Sequence, residues 1–593
     1  MNLIRFLAVA TLFYASPVFS GEKLESRLAR TVSSMAPDER TLVWVFFSDK
    51  GNQELHRSHS LRSIVSERSL QRRRKVRSEQ SLLDYTDLPV EQSYVSQLEQ
   101  LGVHIRNRSK WFNGVSLFAT RDQISQMETL LFVRTMDLVW RSRREAEPIQ
   151  QAITMAPPLH RGSSPTDLDY GQSIYQVSLI NVPSVHNTGN YGQGVVIAVF
   201  DNGVRLLNHR TFDTLRTRLV ATYDFVDHKV SVVPNNPSTD FGFHGVITLS
   251  ALGGYTPGEL IGPAFGAQYI LARTENDSSE TPIEEDNWVA AIEWADSIGV
   301  DVTSTSLGYL DYSTPYTSWT WQDMDGNTTL ITRAADMAVG KGIVVVNSAG
   351  NNGFNPAHNT LNAPADGDSV FTIGAENPDG SRASYSSVGP TTSNPPRIKP
   401  DVMAQGSAVR CASWTDSTQY TYSQGTSLAC PLAAGVVALL LHAKPDATPI
   451  QVMNAIRFTA NNADNPNNLV GWGLIDAVAA IDYLVGNAGE LPTEFILGNN
   501  YPNPFPTPAN PSTTISFSLS ERSAVTVRVF NILGQEVRTL LNERKFPGRS
   551  SVVWNGKNNH GHNVASGIYI CVVGGTGVSG RSFSKALKVS VIR

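Results

Sequence analysis

The chain has 593 residues, too many for one ordinary domain. It is 41% hydrophobic and 17% charged with a formal net charge of −5, which excludes a disordered chain and gives no basic surface for nucleic acid. The three cysteines, Cys411, Cys430 and Cys571, exclude a disulfide scaffold, and no spacing among them suggests a metal site.

Residues 1–20 read as a secretory signal peptide. Arg5 supplies the positive start, Phe6 to Phe13 the apolar stretch, and Val18-Phe19-Ser20 a cleavage site before Gly21. The apolar stretch is too short to span a bilayer, and no other stretch approaches transmembrane length. The expected location is therefore outside the cell, secreted or on its surface.

Residues 21–150 form a separate α+β unit. Its 21 Lys/Arg against 17 Asp/Glu confine the basic excess to this part of the chain. Leu42 to Phe47, Val103 to Ile105 and Val115 to Ala119 read as strands, and Phe132-Val133-Arg134 continues extended. Tyr94 to Leu101 and Arg121 to Leu131 read as helices, the second with Ile124, Met127 and Leu131 on one face. The basic run Arg72-Arg73-Arg74-Lys75 reads as a solvated charged face.

Residues 165–486 alternate buried strands with helices, which predicts an α/β domain with a parallel sheet. Gly194 to Phe200 is a β-branched strand that ends on Asp201 before Asn202-Gly203. A carboxylate at such an end suits an imidazole partner. His244 stands before Gly245 and a small, apolar helical segment, which would hold a general base still. His209 has no buried helix behind it and reads as structural. Trp288, Ile292, Ala295 and Ile298 recur at helical spacing and read as core packing. Ile343 to Ser348 is a further buried strand, and Asn351 beyond it offers an amide to an oxyanion. Gly425-Thr426-Ser427-Leu428-Ala429-Cys430-Pro431 opens a helix that is apolar all round and so belongs in a core. Pro431 requires that helix to begin within about one turn before it. Ser427 is thereby placed at a helix N-terminus, where free N–H groups and the dipole favour developing negative charge. Cys430 reads as a small buried residue, and a bridge to Cys411 stays open.

The chain order Asp201, His244, Asn351, Ser427 differs from that of α/β-hydrolases, and Ala429 stands where a hydrolase elbow needs glycine. These four blocks resemble those of the subtilase family of serine endopeptidases. The resemblance implies a subtilisin-like parallel sheet flanked by helices. It gives Ser427 as nucleophile, His244 as base, Asp201 as its orienting group and Asn351 as oxyanion donor. It makes Ser306, Leu307 and Gly308 substrate-binding through an added strand, together with Ala349 and Gly350. It implies no catalytic cofactor or metal and allows a structural calcium ion, although the acidic stretch Asp277 to Asp286 has no recognisable ligand spacing. Asn202, Val246 and Leu432 depart from the family pattern, and none removes a proton-transfer group. Two other readings are an inactive fold used as a surface-binding module and an esterase or amidase using the same residues.

Within the resemblance, residues 21–150 take the place of the propeptide, an inhibitor and folding chaperone. Arg141-Ser142-Arg143-Arg144 then lies near the expected maturation boundary. Residues 487–510 form a Pro- and Asn-rich linker. Residues 511–593 carry short alternating strands at 514–519, 525–530, 551–554, 568–570 and 585–591, which predict a β-sandwich. That pattern resembles the type A sorting domain of the type IX secretion pathway and the immunoglobulin-like module of flagellar hook-capping proteins. The expected partners are protein or peptide substrates, the chain's own propeptide and, through the C-terminal domain, an export machinery.

Overall fold

The computed structural model describes residues 23–51, 65–139, 167–235, 241–276, 283–310, 318–486, 494–500, 502–505, 512–520, 523–545, 548–577 and 580–592. The expected signal peptide and the cluster at Arg141 to Arg144 lie outside the described residues, as does most of the linker.

The first unit contains α1 (Ser26–Ser34), β1 (Arg40–Phe47), α2 (Glu67–Arg73), α3 (Gln92–Glu99), β2 (His104–Ser109), β3 (Gly114–Thr120), α4 (Arg121–Glu128) and β4 (Val133–Leu138). Its sheet has the order β2-β3-β1-β4. With α3 and α4 as the two crossovers, this is the split β-α-β arrangement of ferredoxin-like folds. Val43, Val45, Leu117, Ile124 and Met127 fill its core. The segment between β1 and α3 is an insertion into that arrangement, and α2 lies within it. The basic run here does not form the solvated face expected from sequence. Arg72 and Arg73 are buried, and Arg74 keeps the exposed side. Charge pattern alone does not reveal that a buried carboxylate, Asp296, waits for them on another domain.

The second unit begins with α5 (Ile174–Ser178) and α6 (Val182–His186), then β5 (Val196–Asp201), α7 (Asp213–Arg216), β6 (Leu219–Asp224) and α8 (Phe243–Gly253). The small hairpin β7 (Tyr255–Thr256) and β8 (Leu260–Ile261) leads to β9 (Gln268–Arg273), α9 (Ile283–Ile298), β10 (Val302–Thr305), α10 (Leu330–Val339) and β11 (Val344–Ser348). β12 (Phe371–Glu376), β13 (Val402–Gln405), β14 (Val409–Ala412), β15 (Tyr420–Ser423), α11 (Thr426–Ala443), α12 (Pro449–Thr459) and α13 (Ala477–Gly486) complete it. Seven strands form one sheet in the order β13-β12-β11-β10-β5-β9-β6. The pairings are parallel, so the strand ends that carry Asp201, Ser306 and Asn351 lie on one side.

Alternation along β5 explains the layers. Ile197 and Val199 face the core shared with α8 and α11. Val196, Ala198 and Phe200 face α9 and α10, where Trp288, Ile292 and Ala295 pack as expected. α11 is, against expectation, long and apolar enough to cross a membrane, but it is mostly buried in this core, which accounts for its composition.

The third unit has a three-stranded sheet of β16 (Ile496–Leu497), β17 (Thr513–Leu519) and β20 (Gly548–Trp554). Its four-stranded partner is β19-β18-β21-β22, with β18 (Ser523–Asn531), β19 (Glu536–Lys545), β21 (Gly567–Gly577) and β22 (Ser582–Val591). Both sheets share a core around Phe517, Val527, Trp554 and Cys571. The sequence pattern predicts no strand at β19. This charged strand is an edge, where Glu and Lys deter pairing with other chains and hide the usual apolar alternation.

Candidate active site

β5 and β10 pair side by side, but the chain connections leave them in opposite directions: the next sheet strand after β5 lies on one side of it, and β10 lies on the other. Such a switch point leaves a crevice beyond the strand C-termini. Asp201 is the last residue of β5, and Ser306 follows β10.

Asp201 Oδ1 is 2.7 Å from His244 Nδ1, and both residues are buried. The second carboxylate oxygen accepts from Thr248 Oγ1 at 2.8 Å. Thr248 is one turn beyond His244 on α8, so one helix supplies both groups that grip the carboxylate. Asn202 N–H donates to Asp201 Oδ1 at 2.8 Å. The Asn202 side chain accepts from Gly245 N–H at 3.0 Å, satisfying a first-turn donor of α8. This residue, a departure from the family pattern, therefore ties the Asp block to the His block. Glycine is required at 245: a Cβ there would meet the Gly203 carbonyl oxygen at 2.0 Å.

α8 packs against α11 through Ile247, Ala251 and Leu428. Their first turns carry His244 and Ser427 respectively. The Asn351 amide oxygen accepts from Thr426 N–H at 2.9 Å and from Thr426 Oγ1 at 3.0 Å. That pins the oxygen end of the amide and turns its NH2 end away from the Thr426 backbone. Gly350 N–H donates to Thr426 Oγ1 at 3.3 Å. Gly350 has φ +109°, and a Cβ on it would sit 2.8 Å from Ser387 Oγ. The loop after β11 and the start of α11 are thus laced together through Thr426.

The other residues expected at substrate are divided in their commitments. Ser306 Oγ donates to the Ser427 carbonyl at 2.8 Å. Leu307 is buried in the core, and its carbonyl accepts from Asn347 Nδ2 at 3.0 Å. Gly308 lies where a Cβ would meet Asn362 Cβ at 2.7 Å. Ala349 N–H is spent on the Ile373 carbonyl. His209 has the structural place expected of it: Nε2 is 2.8 Å from the Gln419 carbonyl and Nδ1 accepts from Thr211 N–H. Burial pushes its pKa down. The cysteines are free and buried, which closes the question of a Cys411–Cys430 bridge. Cys430 Sγ donates to the Thr305 carbonyl at 3.4 Å, and burial pushes this thiol up to about 12.

Three residues with evident work at the site were not singled out in the sequence: Asn202 as a link, Thr248 and Thr426. Thr248 had a readable signal in its four-residue spacing from His244. Thr426 lies in the nucleophile turn but shows its function only through contacts distant in sequence.

Residues 192–473 match the Subtilase family, residues 42–153 the Peptidase S8 propeptide domain of Bacteroidota, and residues 507–577 the FlgD Ig-like domain. Subtilisin DY of Bacillus licheniformis is 31% identical over 306 residues, covering 52% of this chain and 97% of its own. Subtilisin NAT of Bacillus subtilis subsp. natto is 31% identical over 314 residues, covering 53% of this chain and 72% of its own. A solved protease from Pseudoalteromonas arctica is 25% identical with a TM-score of 0.41, covering 51% of this chain and 94% of its own. The chain belongs to the subtilase family of serine endopeptidases, with an S8 propeptide domain before the peptidase domain and an FlgD Ig-like domain after it.

Proposed function

We propose that the chain is an exported precursor whose peptidase domain cleaves peptide bonds with Ser427, His244, Asp201 and Asn351. The observation that carries this reading is the 2.7 Å contact of His244 Nδ1 with Asp201 on a helix packed against the one that begins at Ser427. Ser427 Oγ attacks the peptide carbonyl while His244 Nε2 takes its proton. Asp201 holds the imidazole with Nδ1–H facing the carboxylate and stabilises the imidazolium. The carbonyl oxygen becomes an oxyanion between the Asn351 NH2 group and the Ser427 N–H at the start of α11. His244 then protonates the leaving amine. Water, deprotonated by the same imidazole, releases the acyl group and restores Ser427. The extended substrate is held beside Ser306 to Gly308 and Ala349-Gly350.

Asp201 and His244 retain well-made contacts, which favours an active enzyme over a binding module. Ser427→Ala is expected to abolish labelling by a phosphonylating serine-hydrolase probe while the chain stays folded. Labelling that persists at wild-type rate would overturn the assignment. The signal-like residues 1–20 and the sandwich at 511–593 support export, with the sandwich as a sorting domain for the type IX pathway. A chain lacking residues 511–593 is then expected to stay cell-associated in its native host, and full export of that chain would rule out the sorting role.

A further inference from the structure

The insertion between β1 and α3 reaches the strand N-terminal side of the peptidase sheet, the side opposite the active site. Ser306 lies five positions beyond Asp301, so the contact lies about 17 Å from the candidate site along β10. There Ser66 caps α2 by accepting from Ser69 N–H at 3.1 Å. The same residue closes the C-terminus of α9: its N–H donates to the Ser297 carbonyl at 2.9 Å and its Oγ to the Ile298 carbonyl at 2.6 Å. Arg68 Nε donates to the Gly299 carbonyl at 2.9 Å. Arg72 reaches both the Val300 carbonyl at 2.8 Å and the Lys341 carbonyl at 3.0 Å. Arg77 Nε donates to the Gly340 carbonyl at 2.9 Å. Helix C-termini leave their last carbonyls without intrahelical partners and carry partial negative charge, so arginines suit them. One short segment therefore closes the ends of α9 and α10 together.

Charge makes the fit specific. Asp296 of α9 is buried. Among the described residues its paired cations are Arg72 and Arg73, the latter at 2.6 Å. Arg73 also grips Asp87 with two bonds of 2.8 Å. Asp87 in turn pairs with the buried Lys341 of the peptidase domain at 3.1 Å. Two buried peptidase charges of opposite sign are thus each matched by the arm. Asp296 and Lys341 lie close enough to act on each other's ionisation, so each remains as a counter-charge for the other when the arm departs.

We infer that residues 66–87 are a second foothold of the propeptide, an arm that holds the peptidase domain by the C-terminal ends of α9 and α10 independently of the active site. The inference rests on the propeptide assignment, not on the roles of the catalytic residues. The arm adds to the bonds that Ser109 and Ser116 make with Glu293 and Asp286 of α9, and its natural partner is the Asp296–Lys341 surface of this chain.

The test uses the full chain with Ser427→Ala, so that self-processing does not intervene. Hydrogen exchange is compared with and without Arg72→Gln plus Arg73→Gln. Exchange in residues 66–77 and 297–302 is expected to accelerate at least tenfold, with β1, β3 and the first turns of α9 unchanged. Unchanged exchange in the arm would overturn the inference, as would loss of protection in β1 and β3 together with it. Should the double variant fail to fold, Arg68→Ala with Arg77→Ala removes two carbonyl caps without stranding Asp296, and the same exchange pattern is expected. A Ser427→Ala chain that still processed itself would count against the nucleophile and leave the arm to be judged by exchange.

Discussion

The hydroxyl of Ser306 donates to the carbonyl oxygen of Ser427, at 2.8 Å, in the place where α11 has no N–H to offer. In an α-helix that carbonyl would accept from the residue four positions on, and here that residue is Pro431. The end of β10 thus completes the first turn of α11 and fixes the backbone of the candidate nucleophile.

Ser306→Ala should therefore lower stability by about 1–3 kcal/mol, the cost of removing a partner from a buried polar group. It should also lower kcat more than it raises KM. Adding Pro431→Ala supplies the missing helical N–H and is expected to recover most of both losses. Urea denaturation and steady-state kinetics on the two variants check this, and a double variant no better than Ser306→Ala alone would refute the relationship.

Asp201→Asn should lower kcat by about 10⁴-fold, because an amide can face His244 Nδ1 with its NH2 end and select the wrong tautomer. Thr248→Val removes only the 2.8 Å donor to the other oxygen and should cost about tenfold. Peptide-substrate kinetics should place the variants in that order. Equal losses would mean that Thr248 does more than orient the carboxylate.

Asn351→Ala should cost about 10²–10³-fold in kcat with little change in KM, as for loss of one oxyanion donor. Asn351 Oδ1 is occupied by Thr426, so Asn351→Asp places a carboxylate near the oxyanion and should be at least as damaging. A normal kcat in both would remove Asn351 from the mechanism.

Propeptide docking should strengthen as pH falls. Burial pushes Glu293 of α9 up to about 7 from an ordinary 4.5, despite bonds from Ser109 Oγ and from the N–H groups of Lys110 and Trp111, and despite nearby Lys110. Lys50, itself pulled down to about 8 by burial, also faces it. Asp286, bonded by Ser116 Oγ at 2.5 Å and facing Arg106, is pushed up to about 6 by the same cause. An acid that binds its proton more tightly when docked favours docking at low pH and loses that contribution as pH rises through about 7. Retention of the propeptide by processed enzyme, read by size-exclusion chromatography, should be greater at pH 5 than at pH 8. Glu293→Gln should flatten the difference.

Thiol reagents should leave activity unchanged. Cys430 lies three residues from Ser427 but is buried, with its thiol held near 12, so little thiolate exists to react at neutral pH. Inactivation by iodoacetamide in the folded enzyme would contradict this.

Much of the candidate site was legible because each proposed role needs a residue type in a local context. Asp201 ends a β-branched strand, His244 and Ser427 open helices that are apolar all round, and Asn351 follows a buried strand. Local context did not reveal who touches whom across the chain. Thr426 looks like part of a helix start, yet it is the hinge between Asn351 and α11. Arg72 and Arg73 look like solvated charge, yet they fill a buried site made by a helix more than 200 residues away.

The sequence by itself determined the parallel α/β class and the order of the four blocks, and it nominated the groups proposed here for proton transfer and oxyanion binding. Periodicity, turn residues and side-chain chemistry are properties of short segments, so they survive in a linear reading. Tertiary structure alone decided that Thr248 and His244 grip one carboxylate, that Ser306 replaces the N–H denied by Pro431, and that a basic run becomes an anchor. Those outcomes depend on desolvation and on distances between segments far apart in the chain, which become defined only when the sheet and its helices have packed.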